Sequence, residues 1–585
     1  MEVDAAVQVA TPALSIAEKV PAEIWLEILA LVSKSTDLYS LSVSSRRFHD
    51  LTTRALHRNL VWLNQRYAEQ NLAVWEREDG METHVRSLEL SLPSTTFHHV
   101  SGTDNRLHDR STAARIAASN ASRGNHTTTE LPNDAVWERV HKFTNISSLA
   151  FVKMDIEVEQ FRLIHALPHL RSLRLEVCVL HGNAAQEFDN RTLPITELTM
   201  LDIRRGPDVH PHPQPINLAH VQPINFVHLQ QLQQLHWPGP IAGGVHANLG
   251  PGVGAAMWIH PPDPFAQALS LAVAQNLHTL TVDASADVFR HVFAPPDAQA
   301  RGWTVPTTME NLYVHRKRTL TTGEHKPSAG WAVPQGTFPD THLYHYCTQA
   351  PNLKVVSTPI FVPAQVTVAP EALPLSIDRF AGPLETAQFV AAVRDVQALG
   401  LFRCGLSSRE GITALTSIAR VRPRLKMLMM ESKGWDMEIV TAVSRHFKEL
   451  RRLKIVYDGQ GPDEVRPHLC RRAVLTPHTC TVLQNFLVSL APDFLVEMPE
   501  LHTLEMYQLP PCGGFVPEHP PFLCDPSWGS IEEEMRDILI GWNRFCPKLR
   551  KVQLVSGYLM ARGFEGGVWK LEKIRRLEQV EYLDF

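Results

Sequence analysis

One short pattern recurs along most of this chain: an apolar residue, two others, an apolar residue, one other, an apolar residue. It reads "VRSLEL" from Val85, "ISSLAF" from Ile146, "LRSLRL" from Leu170, "ITELTM" from Ile195, "LQQLHW" from Leu232 and "LHTLTV" from Leu277. It continues as "MENLYV" from Met309, "VQALGL" from Val396, "LKMLMM" from Leu425, "LRRLKI" from Leu450, "LHTLEM" from Leu501, "LRKVQL" from Leu549 and "LEQVEY" from Leu577. The last apolar positions alternate with polar ones, so each copy predicts a short strand with one buried side. A single hexamer carries no weight, but repetition at this density demands a stacked architecture.

What separates the copies fixes how the strands run. Pro168, Pro351, Pro423, Pro499 and Pro547 each stand two residues before the leucine that opens a strand motif. Proline keeps the residue before it out of the helical region, so each one stops a preceding helix. Helical patterns are legible in "VEQFRLIHAL", "PFAQALSLAVAQ", "THLYHYCTQA", "TAQFVAAVRDV", "MEIVTAVSRHF" and "IEEEMRDILIGWNRF". Strands joined through helices run parallel with right-handed crossovers. The third, fifth and seventh motif positions then face away from the helices, on a concave side. They include Ser172, Arg174 and Glu176; Thr279, Thr281 and Asp283; Asn311, Tyr313 and His315. Further along they include Arg452 and Lys454; Thr503, Glu505 and Tyr507; Lys551 and Gln553.

This array resembles the leucine-rich-repeat family over most of residues 136–585. The position that family fills with Asn or Cys in a buried ladder is Cys here only at Cys178 and Cys404. Spacing between copies runs from about 24 residues to more than 50, which predicts a distorted horseshoe with insertions. A doubly wound α/β domain is the structural alternative.

The amino-terminal part is different. "VPAEIWLEILALVSKSTDLYSLSVSSRRFHDL", residues 20–51, predicts three short helices. Pro21 suits a first helical position, with Glu23 in the first turn and Ile24, Ile28, Leu29 and Val32 on one face. Thr36 and Asp37 can cap a second helix bearing Leu38 and Leu41, and Ser44 a third bearing Phe48, Leu51 and Ala55. Roughly forty residues seldom bury enough apolar surface to stand alone. No cysteine precedes Cys178 to brace them. A partner, or the rest of the chain, has to cover their apolar side.

Val20-Pro21, Glu23-Ile24, Ile28-Leu29, Asp37-Leu38, Leu41, Val43-Ser44, Arg46 and Phe48 resemble the F-box pattern, with Val20 in place of the usual Leu. The resemblance covers residues 17–62. It implies docking on the Skp adaptor, and through it on a cullin, with Pro21, Ile24, Ile28, Leu29, Leu38, Leu41 and Val43 contacting the adaptor or ordering the surface that does. Phe48 and Leu51 would hold the third helix.

The full expectation is an α/β chain: a disordered start (1–16), the three-helix unit (17–62), a linker with one strand and a Ser/Thr/His-rich loop (63–135), and an irregular solenoid with outer helices (136–585). Pro/Gly-rich insertions fall near 206–264 and 510–527. The formal charge of −5, from 56 basic and 61 acidic residues, gives no electrostatic case for nucleic acid. No apolar run is long enough to span a bilayer, and the amino end lacks a secretory pattern. The eight scattered cysteines suit reduced thiols in the cytoplasm or nucleus.

Chemistry is sparse. No phosphate loop, nucleophile elbow or His-Glu-x-x-His occurs, so no catalytic role and no cofactor are expected. His342, His345 and Cys347, and His468, Cys470, His478 and Cys480, have zinc-ligating types without zinc spacing. Cys512 and Cys524 flank a Pro-rich loop, and "MLMM" from Met427 reads as core plus concave surface. The expected function is target recognition for a Skp–cullin–F-box ubiquitin ligase. Candidate target contacts are Arg174, Glu176, Tyr313, Arg452, Lys454, Glu505, Tyr507 and Lys551. The alternative is a repeat scaffold with no ligase role.

Overall fold

The structure, a computed structural model, describes residues 20–32, 35–63, 68, 81–92, 133–180, 192–201, 203–205, 274–283, 305–315, 341–358, 372–433, 436–457, 487, 490–508, 527–564 and 566–573. The motif copies at Leu232 and Leu577 lie outside the described residues, as do most of the helix expected over 264–275 and the insertions at 206–264 and 510–526.

Three helices come first: α1 (Ala22–Ala30), α2 (Ser35–Ser42) and α3 (Arg46–Leu56). The cap of α3 is Ser45 rather than Ser44; its side chain accepts from the Phe48 N–H at 3.2 Å. Within two residues of α3 the chain enters a strand, β1 (Asn59–Trp62), and from there on strands dominate. They are β2 (Ser87–Leu90), β3 (Ser148–Val152), β4 (Asp155–Ile156), β5 (Ser172–Glu176), β6 (Val179–Leu180), β7 (Glu197–Leu201), β8 (Arg204–Arg205), β9 (Thr279–Asp283) and β10 (Asn311–His315). Then follow β11 (Val355–Ser357), β12 (Arg379–Gly382), β13 (Ala398–Leu406), β14 (Met427–Ser432), β15 (Arg452–Tyr457), β16 (Thr503–Gln508), β17 (Lys551–Val555), β18 (Tyr558–Ala561) and β19 (Lys570–Lys573).

Sixteen of these make one sheet in strict chain order, from β1 to β19, with β4, β6 and β8 forming a small parallel sheet of their own. Pairing in the large sheet is parallel as far as β17 and antiparallel from β17 through β19. Chain order never reverses, as a doubly wound sheet would require. Eleven of the thirteen motif copies fall on described residues, and each is a strand of this sheet. β1 closes the boundary between helical unit and solenoid at about residue 58, where the sequence placed it at 62.

The motif's second leucine sets the register. Leu60, Leu88, Leu149, Leu173, Leu198, Leu280 and Leu312 stand opposite one another strand by strand. The row passes through Val356, Phe380, Leu399, Leu428, Leu453 and Leu504 to Val552. All of these are buried in one continuous core. Each burial contributes on the order of 2 kcal/mol, and a slip of one residue would turn the whole row to the other face.

Outer helices close the core. They are α4 (Asn133–Val140), α5 (Val158–Ala166), α6 (Thr341–Thr348), α7 (Leu384–Val393), α8 (Ser408–Val421), α9 (Met437–His446) and α10 (Ile531–Trp542). α8 was not singled out above, although Ser407 and Glu410 form a reciprocal capping box and Leu415 and Ile418 are buried. Cys178, between β5 and β6, is buried, its thiol donating to the Phe151 and Glu176 carbonyls at 3.3 and 3.4 Å, and burial pushes its pKa up to about 12. Among the described residues no helix is long and apolar enough to cross a membrane.

Candidate functional site

Two surfaces separate by burial: the outside of the helical unit and the concave side of the large sheet. The helical unit has a core of its own, Leu29, Leu38 and Leu51, with Ala22, Trp25, Leu26, Val32, Leu41, Ala55 and Leu56 packed around it. This cluster is distinct from the solenoid core, which begins at Leu60 and Trp62. Trp25 meets Phe48 edge to face, with ring centroids 4.9 Å apart. Arg47 Nη2 donates to the Val20 carbonyl at 2.5 Å and ties the start of α3 to the entry of α1.

The face expected on α1 is therefore split. Trp25, Leu29 and Val32 follow the i, i+4, i+7 stripe that three-helix packing selects, and Leu29 is 1% exposed. Ile24, Ile28 and Leu31 point outward, with Ile28 43% exposed. Tyr39 on α2 and Val43 just past its end, the latter 70% exposed, are further exposed apolar side chains. Of the seven residues assigned to adaptor binding, Pro21, Ile24, Ile28 and Val43 are exposed, Leu41 is half-buried, and Leu29 and Leu38 are interior. The last two order the ridge and do not present it.

The concave face has two halves. From β2 to β10 it is more open, with strands such as β5 and β10 alternating buried and half-buried residues, although Ala150 and Thr281 on this side are buried. Here Arg174 is paired with Glu176 and stands 3.8 Å from Glu89 two strands away. Tyr313 is half-buried in the same half. From β11 to β16 most concave side chains are buried as well: Val355, Ser357, Ala381, Met427, Met429, Lys454, Val456, Glu505 and Tyr507, while Arg379 is exposed and Glu431, Arg452 and Thr503 are half-buried.

This corrects the reading of the carboxyl-terminal strands. Lys454, Glu505 and Tyr507 were expected on an open recognition surface. Lys454 is 1% exposed, and Glu505, its partner across β15 and β16, is buried beside it. Glu505 Oε1 accepts from Arg452 Nη2 at 2.6 Å and Nε at 3.1 Å, while Oε2 lies 3.7 Å from Lys454 Nζ. The Lys454 ammonium also stands 5.6 Å from the centre of the Tyr507 ring. These charges serve one another, and only Lys551 among the carboxyl-terminal candidates is fully exposed. The signal was in the sequence: "IVY" from Ile455 and "MLMM" from Met427 are continuous apolar runs, whereas "SLRLE" and "NLYVH" alternate, and continuous runs mark strands buried on both faces.

Cys347 is buried, with its thiol pushed up to about 12, and Tyr346 beside it is buried too. Among the described residues no group of three His, Cys, Asp or Glu side chains is placed to hold a metal. His468, Cys470, His478, Cys480, Cys512 and Cys524 lie outside the described residues.

No family profile and no curated protein matches this chain. Among solved structures it is similar to a crystal structure of a TLR13–ssRNA13 complex at 12% identity and a TM-score of 0.25. That match takes in 78% of this chain and 44% of the other, so the chain spans less than half the length of the protein it matches.

Proposed function

We propose that this chain is the target-recognition subunit of a Skp–cullin–F-box ubiquitin ligase, with an irregular leucine-rich-repeat-like array as its target-holding part. The F-box resemblance of residues 17–62 supports the first half of this reading. The observation that carries it is the exposed apolar stripe of Ile24, Ile28 and Leu31 on α1, with Tyr39 and Val43 also exposed, set on a helical unit whose separate core rests, among the described residues, on three buried leucines. Such a ridge costs solubility unless something covers it.

On this reading Pro21, Ile24, Ile28 and Val43 touch the Skp adaptor, while Leu29, Leu38 and Leu41 hold the helices that present them. The open concave half around Arg174, Glu176 and Tyr313 faces the target. The chain performs no bond chemistry and calls for no cofactor; it raises the local concentration of its target near a ubiquitin-charged enzyme. That activity belongs in the cytoplasm or nucleus.

Coexpression with a Skp adaptor tests the proposal. The wild-type chain should copurify with it as a stable pair. Ile28→Asp with Val43→Asp should abolish the pair without lowering the melting temperature, since both side chains are exposed. Retention of the adaptor by that variant would refute the assignment. The competing scaffold reading, in which the helices only cap the solenoid, is favoured by the two-residue passage from α3 into β1. It expects the chain to be equally soluble alone.

A further inference from the structure

We infer that the rim at the amino-terminal ends of β14 to β17 is a docking surface for an acidic helical segment of a partner protein. The residue just ahead of each strand forms a row along this rim, because its N–H donates to the carbonyl of its counterpart one repeat earlier. Arg451 donates to Lys426 at 2.7 Å, His502 to Arg451 at 2.7 Å, and Arg550 to His502 at 2.8 Å. Side chains along the row are neighbours: Lys426 Nζ reaches Gln397 Oε1 at 2.8 Å, and Lys354 Nζ reaches Glu310 Oε1 at 3.1 Å.

Earlier in the row several basic side chains find local acceptors: these two lysines, and Arg86 and Arg171, whose guanidinium groups donate to the Thr83, Asn145 and Pro194 carbonyls at 3.2, 3.3 and 3.1 Å. From Arg451 onward the arginines of the row do not. Among the described residues neither Arg451 nor Arg550 has a carboxylate partner, both are exposed, and the exposed Lys551 follows at once. Carboxylates close to Arg451 and His502 in sequence are already engaged: Glu449 by Arg424 at 3.6 Å, Glu500 by Lys548 at 2.6 Å, and Glu497 by Lys448. Arg451 and His502 stand close enough to Glu500 to help lower its pKa, but its hydrogen bond belongs to Lys548.

Neutralising helix ends does not account for the row. α8 and α9 carry Arg420, and Arg445 with His446, in their own last turns. The field of a helix end fades within that turn, and Lys426 and Arg451 lie five residues beyond Val421 and His446.

Spacing selects the occupant. Strands repeat at about 4.8 Å, so Lys426, Arg451, His502 and Arg550 span about 14 Å. Carboxylates on successive turns of a helix repeat at about 5.4 Å, a mismatch of about 2 Å over the row. Same-side residues of an extended chain repeat at about 6.8 Å and overshoot by about 6 Å. Long basic side chains absorb the first difference and not the second.

Two labelled alanine-based peptides of one composition test this by fluorescence anisotropy with the full chain. One carries Glu at i, i+4, i+7 and i+11 on a single face; the other carries the same residues spread around the helix. The single-face peptide should bind at least about tenfold more tightly and weaken as salt rises. Arg451→Gln with Arg550→Gln should lose at least about tenfold, and Arg451→Glu with Arg550→Glu all measurable binding, at unchanged melting temperature. Equal binding of the two peptides, or undiminished binding by the Gln pair, overturns the inference. The Ile28→Asp, Val43→Asp chain should bind the peptide as wild type does, so this result stands apart from the ligase reading.

Discussion

His502 stands between Arg451 and Arg550 at the start of β16, and its imidazole is held below its usual value near 6.5. Partial burial is the largest cause, followed by the positive charges of Arg550, Arg451 and Lys548, with Glu500 opposing them. The folded chain therefore disfavours the protonated ring. Its contribution to stability is complete above the unfolded value and is lost as pH falls through the lower folded one. In a proton-resonance titration His502 should titrate below 6.5 in the wild-type chain, and nearer to 6.5 once Arg451 and Arg550 are Gln. A value that ignores both substitutions would mean that burial alone sets it. The row was hard to see beforehand because its members lie 25, 51 and 48 residues apart in sequence and become neighbours only through strand register.

Between β15 and β16, the buried Lys454 and Glu505 and the half-buried Arg452 form a charge network within a sheet. Burying an ion pair yields little net stability, but removing one member strands the other in a medium that solvates it poorly. Glu505→Leu should cost about 3–5 kcal/mol in denaturant unfolding. Adding Lys454→Met should restore most of that loss, because the stranded ammonium goes with it. A loss of similar size in both chains would show that shape, not charge, dominates the site. For the same reason charge reversal of Arg452 and Lys454 is no test of target binding, since it would act first on folding. At this scale strands were highly legible, and helices nearly so. The short β11 and β12, without full hexamers, and the β18–β19 hairpin were not, since a strand of three or four residues is defined by the neighbour it pairs with.

Across the whole molecule, two cores of very different size share one chain. The solenoid core runs from Leu60 to Trp569, while that of the helical unit rests on Leu29, Leu38 and Leu51. The smaller one should open independently, since local opening follows the contacts a segment makes. Leu29→Ala removes about 2–5 kcal/mol from it. Hydrogen exchange in this variant should quicken across residues 22–56 and stay unchanged in β13 to β16. Uniform quickening would mean that the two units unfold as one. By itself the sequence determined the parallel, chain-ordered strands and the helical start, because apolar spacing and proline stops act over a few residues at a time. Only the tertiary structure decided which of Ile28 and Leu29 faces solvent, and that the concave side closes over Lys454 and Glu505. It likewise decided that Arg451, His502 and Arg550 meet, because burial and charge proximity depend on segments that stacking brings together.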